Sequence, residues 1–566
     1  MTDLQRAPAT SSGLRGLAVP GTAVVGFTPA LPHLPSSVIF PPSMDDSTAT
    51  SGRTGPATDA DDLGVAILGA GFAGICMAIK LLEAGRRDVA IFEKAAALGG
   101  TWRDNTYPGC GCDVPSHLYS YSFEQNPNWS RTYAPQQEIL DYLKQVAARR
   151  GVDRLIRYET PIERIEWDEP AARWRLTARD GRRFTARVVV SAVGALHVPK
   201  MPNLPGLGSF EGPAFHSSRW RHDVEIAGKR VAVIGSGASA IQIIPEIAPT
   251  VGALAVFQRS PPWVLPRRDR QITAAARGVF ARVPGVLRVW RALQYWRAEV
   301  VALGLAYKPK LMGRGQKLSA AFKEREIKDP TLRLKLNPFY TLGCKRVLLS
   351  DDFYATMTRP NVTLVTDAIH EIRPRSIVTA DGREHPCDVI IHATGFDTFN
   401  PAATVDVRGR GGRRLADDWR DGPEGYRGVA VAGYPNYFTL MGPNSGLGHN
   451  SIVFMIEAQV RYVMQCLTWL DHGRLPAVEV RAEVQRAFND DLQRRFERTV
   501  WRDKPGSTWQ LPCTSWYVDA RGRNAALWPG MSVGYWMMMR KATIADYVPA
   551  PAAAVAGGAT ASRRVA

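Results

Sequence analysis

Val65-Ala66-Ile67-Leu68-Gly69-Ala70-Gly71-Phe72-Ala73-Gly74 is the stretch that decides how this chain folds. A four-residue apolar run of buried-strand type leads into three glycines spaced G-x-G-x-x-G. Ile75 to Glu83 then reads as a helix closed by Gly85, and Val89-Ala90-Ile91-Phe92 reads as the next strand, ending at Glu93. In a strand–turn–helix–strand unit, Gly69, Gly71 and Gly74 let the backbone turn tightly and approach a pyrophosphate, whose charge sits at the helix N-terminus. Glu93, 24 residues after Gly69, is placed to accept a hydrogen bond from a ribose 2′-hydroxyl. A carboxylate there would repel a 2′-phosphate, so the unit suits FAD or NAD.

The same unit recurs. Val231-Ala232-Val233-Ile234 enters Gly235-Ser236-Gly237-Ala238-Ser239-Ala240, a helix follows through Ile247, and the next strand is Leu254-Ala255-Val256-Phe257. Ala240 takes the third glycine position, as the fingerprint permits. Here the residue 24 positions after the first glycine is Arg259, followed by Ser260. A guanidinium at this place can hold a 2′-phosphate in charge-assisted hydrogen bonds, so the second unit suits NADPH. Two such units predict an α/β protein with two Rossmann-like dinucleotide-binding domains. Between them and Cys344, residues of about 270–335 read as a helical insertion, and Ser451 to Leu470 reads as one long helix capped by Asn450 or Ser451.

Composition bounds the remaining possibilities. The net charge is +18, but the excess is mostly Arg spread along the chain, with no basic block or nucleic-acid-binding signature. Attraction of an anionic cofactor accounts for part of it, and no nucleic-acid partner is expected. The seven cysteines are irregularly spaced and form no metal-ligand pattern, so no metal is expected and a reduced, cytoplasmic protein is. No run of residues is long and apolar enough to span a membrane, and no secretory signal is visible. Residues 1–62 and 549–566 are low in apolar periodicity and read as disordered extensions. Met44 lies inside the first, and translation is expected to start there.

Flavoproteins with one FAD and one NADPH site include disulfide reductases and class B monooxygenases. The reductases need a redox cysteine pair near the flavin, and the only close pair, Cys110-Gly111-Cys112, has a spacing that would strain a disulfide. Further motifs are more specific. Gly99-Gly100-Thr101-Trp102, Tyr107-Pro108-Gly109, Asp113 and Tyr119-Ser120-Tyr121-Ser122-Phe123 follow one another, then Phe210-x-Gly212-x-x-x-His216-x-x-x-Trp220, Gly343-Cys344-Lys345-Arg346, Ala393-Thr394-Gly395-Phe396-Asp397 and Gly442-Pro443-Asn444. Over about residues 63–540 this series resembles the type I Baeyer–Villiger monooxygenases. Arg221 stands where that family's fingerprint has Pro or Asp.

The resemblance implies an enzyme that uses FAD, NADPH and O2 to convert a ketone to an ester or lactone through a peroxide at flavin C4a. It implies that Arg346 stabilises the negative charge of that reaction and that Asp113 orients Arg346. Thr101, Trp102, Asp113 and Tyr119 fall in the flavin-site run. Lys345 joins Arg259 and Ser260 on the 2′-phosphate, Trp516 lies near NADPH and the substrate, and His216 couples cofactor binding to domain movement from an interdomain linker. The implied division is an FAD domain over 63–204 and 381–548, with an NADPH domain over 205–380. A monomer or small homo-oligomer is expected. The alternatives are an N- or S-oxygenating flavin monooxygenase and an NADPH-dependent flavoprotein reductase.

Overall fold

In the computed structural model the residues described are 61–398, 404–502, 515–519 and 521–549. The two expected extensions lie outside them, save for Asp61, Asp62 and Pro549. The first of these positions correct the sequence reading. Strand β1 is Asp61–Leu68 and begins before the apolar run, because Asp61 and Asp62 align with Phe184 and Thr185 in the ladder. Backbone pairing needs no apolar side chain, and the two carboxylates are held by Arg157 and Arg173.

Helix α1 (Phe72–Glu83) and strand β2 (Val89–Phe92) complete the first unit as expected. β1 lies between β2 and the strand Arg183–Ser191, parallel to both, so Leu68, Phe92 and Ser191 end at one edge. The first glycine turn therefore sits at the carboxyl ends of the strands, where open α/β sheets bind ligands. Among the described residues eight strands make this sheet, and two of them, Asp406–Arg408 and Tyr437–Thr439, come from late in the chain. Its antiparallel flank is Ile162–Asp168 with Arg173–Ala178.

A second sheet is parallel throughout. Strand β3 (Arg230–Ile234), helix α2 (Ala238–Ile247) and strand β4 (Ala253–Phe257) form the second unit, with Val362–Val365 beside β4. On the other side of β3 lie Val389–His392 and then Ala214–His216. Val389–His392 thus belongs with the second unit, although the sequence reading places the return to the first at about residue 381. The return crossing begins at Ala393. It runs antiparallel to the outward one: the Lys200 N–H donates to the Gly395 carbonyl (2.9 Å) and the Asp397 N–H to that of Val198 (2.9 Å).

His216 is buried at the end of an edge strand of the second sheet, just after the outward crossing. Its Nε2 meets the Gly395 carbonyl at 2.9 Å and its Nδ1 meets the Ser218 hydroxyl at 2.9 Å. Trp220 packs edge-on against Phe215, and Arg221 forms an exposed ion pair with Asp223. The departure at Arg221 is thereby absorbed at the surface.

The insertion is helical, as its composition indicates. It includes α3 (Ala274–Arg282) and α4 (Val286–Ala302), then a wider turn over Leu303–Tyr307. The long late helix, α5, is Ile452–Asp471. The Ser451 hydroxyl does not cap it; the Ser451 N–H instead donates to Asn450 Oδ1 at 2.7 Å. Arg291 of α4 is buried and donates to the His117 carbonyl at 2.6 Å.

Glu299 of α4 is fully buried and ties the insertion to two later segments. It meets His449 Nε2 at 3.2 Å and accepts from Asn450 Nδ2 at 2.7 Å and the Ser532 hydroxyl at 2.5 Å. Ser532 opens helix α6 (Ser532–Met539). Burial alone would raise the Glu299 pKa, but the hydrogen bonds from His449 and Ser532 outweigh it and hold it below the ordinary 4.5. A depressed carboxylate contributes stability that is complete above its unfolded pKa and is lost as pH falls through the folded one. Glu299→Ala leaves several buried donors without an acceptor and is expected to cost roughly 3 kcal/mol or more at neutral pH. Denaturant unfolding of both proteins checks this, and the gap should narrow below about pH 4 as the wild-type carboxylate takes up its proton.

Candidate active site

The first glycine turn is shaped by close backbone approaches. Gly69 has φ +104°, and a Cβ there would lie 2.8 Å from the Ala192 carbonyl oxygen. A Cβ on Gly74 would lie 1.9 Å from the Gly69 carbonyl oxygen, so only glycine lets α1 start so near the end of β1. Gly71 faces more open space: a Cβ there would have Gly100 as its nearest neighbour, 3.8 Å away. Glu93 is buried at the end of β2, where it accepts from the Ala70 N–H at 2.9 Å and the Ala95 N–H at 3.0 Å. It also pairs with Arg103 at 2.9 Å. Its carboxylate therefore reaches back to the glycine turn.

The run after Gly99 lies against this turn. Thr101 opens a short helix, Thr101–Asp104, in which Trp102 is buried. Trp102 Nε1 donates to the Tyr119 hydroxyl at 3.3 Å, and Tyr119 packs edge-on against Phe72 at the start of α1. Tyr121 is buried and donates to the Phe72 carbonyl at 2.6 Å. Ser122 donates through both its N–H and its hydroxyl to Glu457 of α5 at 2.6 Å. Burial pushes the Glu457 carboxyl up, against the opposing charge of Arg291.

The second turn repeats the construction. Gly235 has φ +124° and would place a Cβ 2.3 Å from the Ala393 carbonyl oxygen, whereas a Cβ on Gly237 would meet nothing within 4 Å. Ala240 is fully buried against the sheet. At the end of β4, Arg259 is exposed and Ser260 half-buried. Lys345 Nζ donates to the Ser260 hydroxyl at 2.9 Å, and the Ser236 hydroxyl donates to the Ser260 carbonyl at 3.1 Å. Burial lowers the Lys345 pKa, and the nearby Arg259 charge lowers it further. Arg259, Ser260 and Lys345 thus gather positive charge and a hydroxyl at one end of the second turn, an arrangement suited to a phosphate.

Arg346, the next residue, turns the other way. Its Nε donates to Asp113 Oδ2 at 3.3 Å, and its side chain keeps 41% of its surface accessible while that of Asp113 keeps 13%. Crowding opposes charge on Arg346, but Asp113 outweighs this, and Tyr517 and Cys112 add to it, so its pKa rises. Asp113 ends a loop that touches the second unit: the Tyr107 hydroxyl donates to Gln242 Oε1 of α2 at 3.0 Å, and Gln242 Nε2 donates to the Gly111 carbonyl at 3.1 Å. The loop's cysteines are free thiols, and burial pushes both Cys110 and Cys112 up to about 12. Such thiols are poor redox nucleophiles.

Trp516 is 46% exposed and packs on Tyr517, with ring centroids 4.4 Å apart. Tyr517 is the buried member of the pair, and burial pushes its hydroxyl up to about 12 against the pull of Arg346.

The model of the flavin-binding monooxygenase-like family matches residues 63–275. A Baeyer–Villiger monooxygenase of Pseudomonas aeruginosa is 45% identical over 484 residues, covering 85% of this chain and 90% of the relative. The chain belongs to the Baeyer–Villiger monooxygenase family. A second member, from Streptomyces coelicolor, is 43% identical over 86% of this chain and 93% of its own. Among solved structures, a closed form of cyclohexanone monooxygenase superposes with a TM-score of 0.76 at 27% identity, over 87% of this chain and all of that one. Steroid monooxygenase bound to NADP gives 0.75 at 30% identity, over 86% and 99%.

Set within this Baeyer–Villiger fold, two residues near the site carry no sequence signal of their own. Arg103 is one of many arginines until the fold brings it to Glu93. Tyr517 sits beside the more conspicuous Trp516, and only folding shows which of the two faces Arg346. Gly74→Ala is expected to force the first turn apart and destabilise the protein by about 2 kcal/mol, to be read as a lowered midpoint in denaturant unfolding.

Proposed function

We propose that this chain is an FAD-dependent monooxygenase that consumes NADPH and O2 and converts a ketone to an ester or lactone. The observation that carries the reading is the divergence of Lys345 and Arg346. One cation meets Ser260 at the second glycine turn and the other meets Asp113 beside the first unit. The solved relatives support it: one is a complex with FAD and NADP. Both glycine turns here fit such groups, since Gly71 and Gly237 leave room for a close approach that Gly69, Gly74 and Gly235 hold in shape.

In this reading Gly69, Gly71, Gly74 and Glu93 hold the FAD pyrophosphate and ribose, and Thr101, Trp102, Asp113 and Tyr119 border its ring. Gly235, Gly237 and Ala240 hold the NADPH pyrophosphate, with Arg259, Ser260 and Lys345 on its 2′-phosphate. Trp516 borders the nicotinamide side. The first sheet, with its late strands, is the FAD domain, and the second sheet is the NADPH domain. The protein works in the cytoplasm, with O2 as co-substrate.

Bound FAD, reduced by NADPH, supplies the activation of O2. The remaining work falls to side chains. Arg346 keeps a fixed positive charge where the ketone oxygen gains negative charge on attack, and preorganised charge of this kind is a large catalytic term. Asp113 aims Arg346 and preserves its protonation.

Arg346→Ala is expected to leave flavin reduction by NADPH intact while ester formation falls at least about a hundredfold. Stopped-flow flavin bleaching and product mass, measured on the same samples, separate the two steps. Ester formed at the wild-type rate would remove Arg346 from the chemistry. Arg259→Ala is expected to raise KM for NADPH by roughly tenfold or more, with little effect on KM for NADH, since it loses a charged hydrogen bond to the 2′-phosphate alone. Equal effects on both cofactors would place Arg259 elsewhere.

A further inference from the structure

The insertion helix α4 has its polarity reversed. Its inner face carries Arg291, Gln294, Tyr295 and Glu299, all buried, while its outer face presents Val289, Trp290, Leu293, Val300 and Val301 to solvent. Val289 is 56% exposed, Leu293 53% and Val300 63%. Their spacing of four and seven residues puts them on one side of the helix. Val279 and Val283 of α3 and the turn after it are exposed too, and Phe280 of α3 packs beside Trp290. The turn after α4 adds exposed Leu303 and Tyr307. An exposed apolar surface of this extent marks an interaction site.

Charge identifies what covers it. From Ala274 to Lys317 the only acidic residue is Glu299, which is buried within the protein. Arg282, Arg288, Arg297, Lys308, Lys310 and Arg314 are all exposed. A second copy of this chain docked face to face would set these cations against themselves. An anionic bilayer satisfies both features: valine, leucine and tryptophan side chains enter the acyl boundary, and arginine and lysine reach back to the phosphates. Among the described residues no helix is long and apolar enough to cross a membrane, so such a helix would lie in the interface plane. We propose that α3 and α4 form a peripheral docking surface for a membrane rich in acidic phospholipid.

The test uses the full-length, flavin-loaded protein and flotation with two vesicle populations, phosphatidylcholine alone and phosphatidylcholine with an equal part of phosphatidylglycerol. The protein is expected to float with the anionic vesicles and remain behind with the neutral ones, and to be released by high salt. Leu293→Glu with Val300→Glu is expected to lower the bound fraction at least about tenfold, and Arg288→Glu with Arg297→Glu to do the same by removing the charge attraction. Melting temperature and flavin content should match wild type in both, since all four residues are exposed. No flotation with anionic vesicles, or flotation untouched by both double variants, overturns the proposal. A wild-type dimer in sedimentation velocity that Leu293→Glu with Val300→Glu splits, without vesicle binding, overturns it in favour of a self-association face. None of these readouts depends on the oxidation reaction.

Discussion

Two neighbouring cations that reach in opposite directions organise this protein. Lys345 and Arg346 follow a tight turn, in which the Cys344 N–H donates to the Thr341 carbonyl at 3.0 Å, and precede a short strand, Leu348–Leu349, paired with Val264–Leu265. Beneath them Leu305, Met312, Leu342, Trp501 and Tyr517 pack as one apolar cluster. Gly343 makes this possible: a Cβ there would lie 2.3 Å from Leu305. The helical insertion is therefore pressed against the dipeptide whose cations meet Ser260 and Asp113. Any shift of the insertion is transmitted to both cations, because close-packed interiors do not absorb displacement.

Much of this was legible in the sequence, for a physical reason. A glycine turn after a buried strand is a local device: its three glycines lie between Gly69 and Gly74, so spacing alone reveals it, although Gly69 and Gly71 face the distant Ala192 and Gly100. The equivalence of Glu93 and Arg259 follows from the same locality. Helical composition likewise disclosed the insertion without indicating what it touches.

What stayed hidden depends on contacts between distant residues. Val389–His392 is an apolar run that could join either sheet, and nothing within it says which parallel neighbour it takes; it pairs with β3 and Ala214–His216. Glu299 reads as one more charge on a helix of mixed composition until the fold encloses it with His449, Asn450 and Ser532. The reversal of α4 is invisible in the sequence for the same cause, since periodicity reports two faces but not which one is inward. The start of β1 was set by pairing of Asp61 and Asp62 with Phe184 and Thr185, far along the chain.

The side-by-side crossings between the sheets have a mechanical consequence. The chain passes from one sheet to the other twice, and the two passages are laced together by Lys200 with Gly395, Asp397 with Val198, and the Thr394 hydroxyl with the Lys200 carbonyl at 2.6 Å. His216 fastens to the same Gly395 carbonyl. The two sheets also meet away from this ribbon, through Tyr107 and Gly111 with Gln242 and through Arg346 with Asp113. Drawing the sheets apart at the ribbon, or sliding one along the other, would break its hydrogen bonds together, whereas a small bend about it would leave them in place.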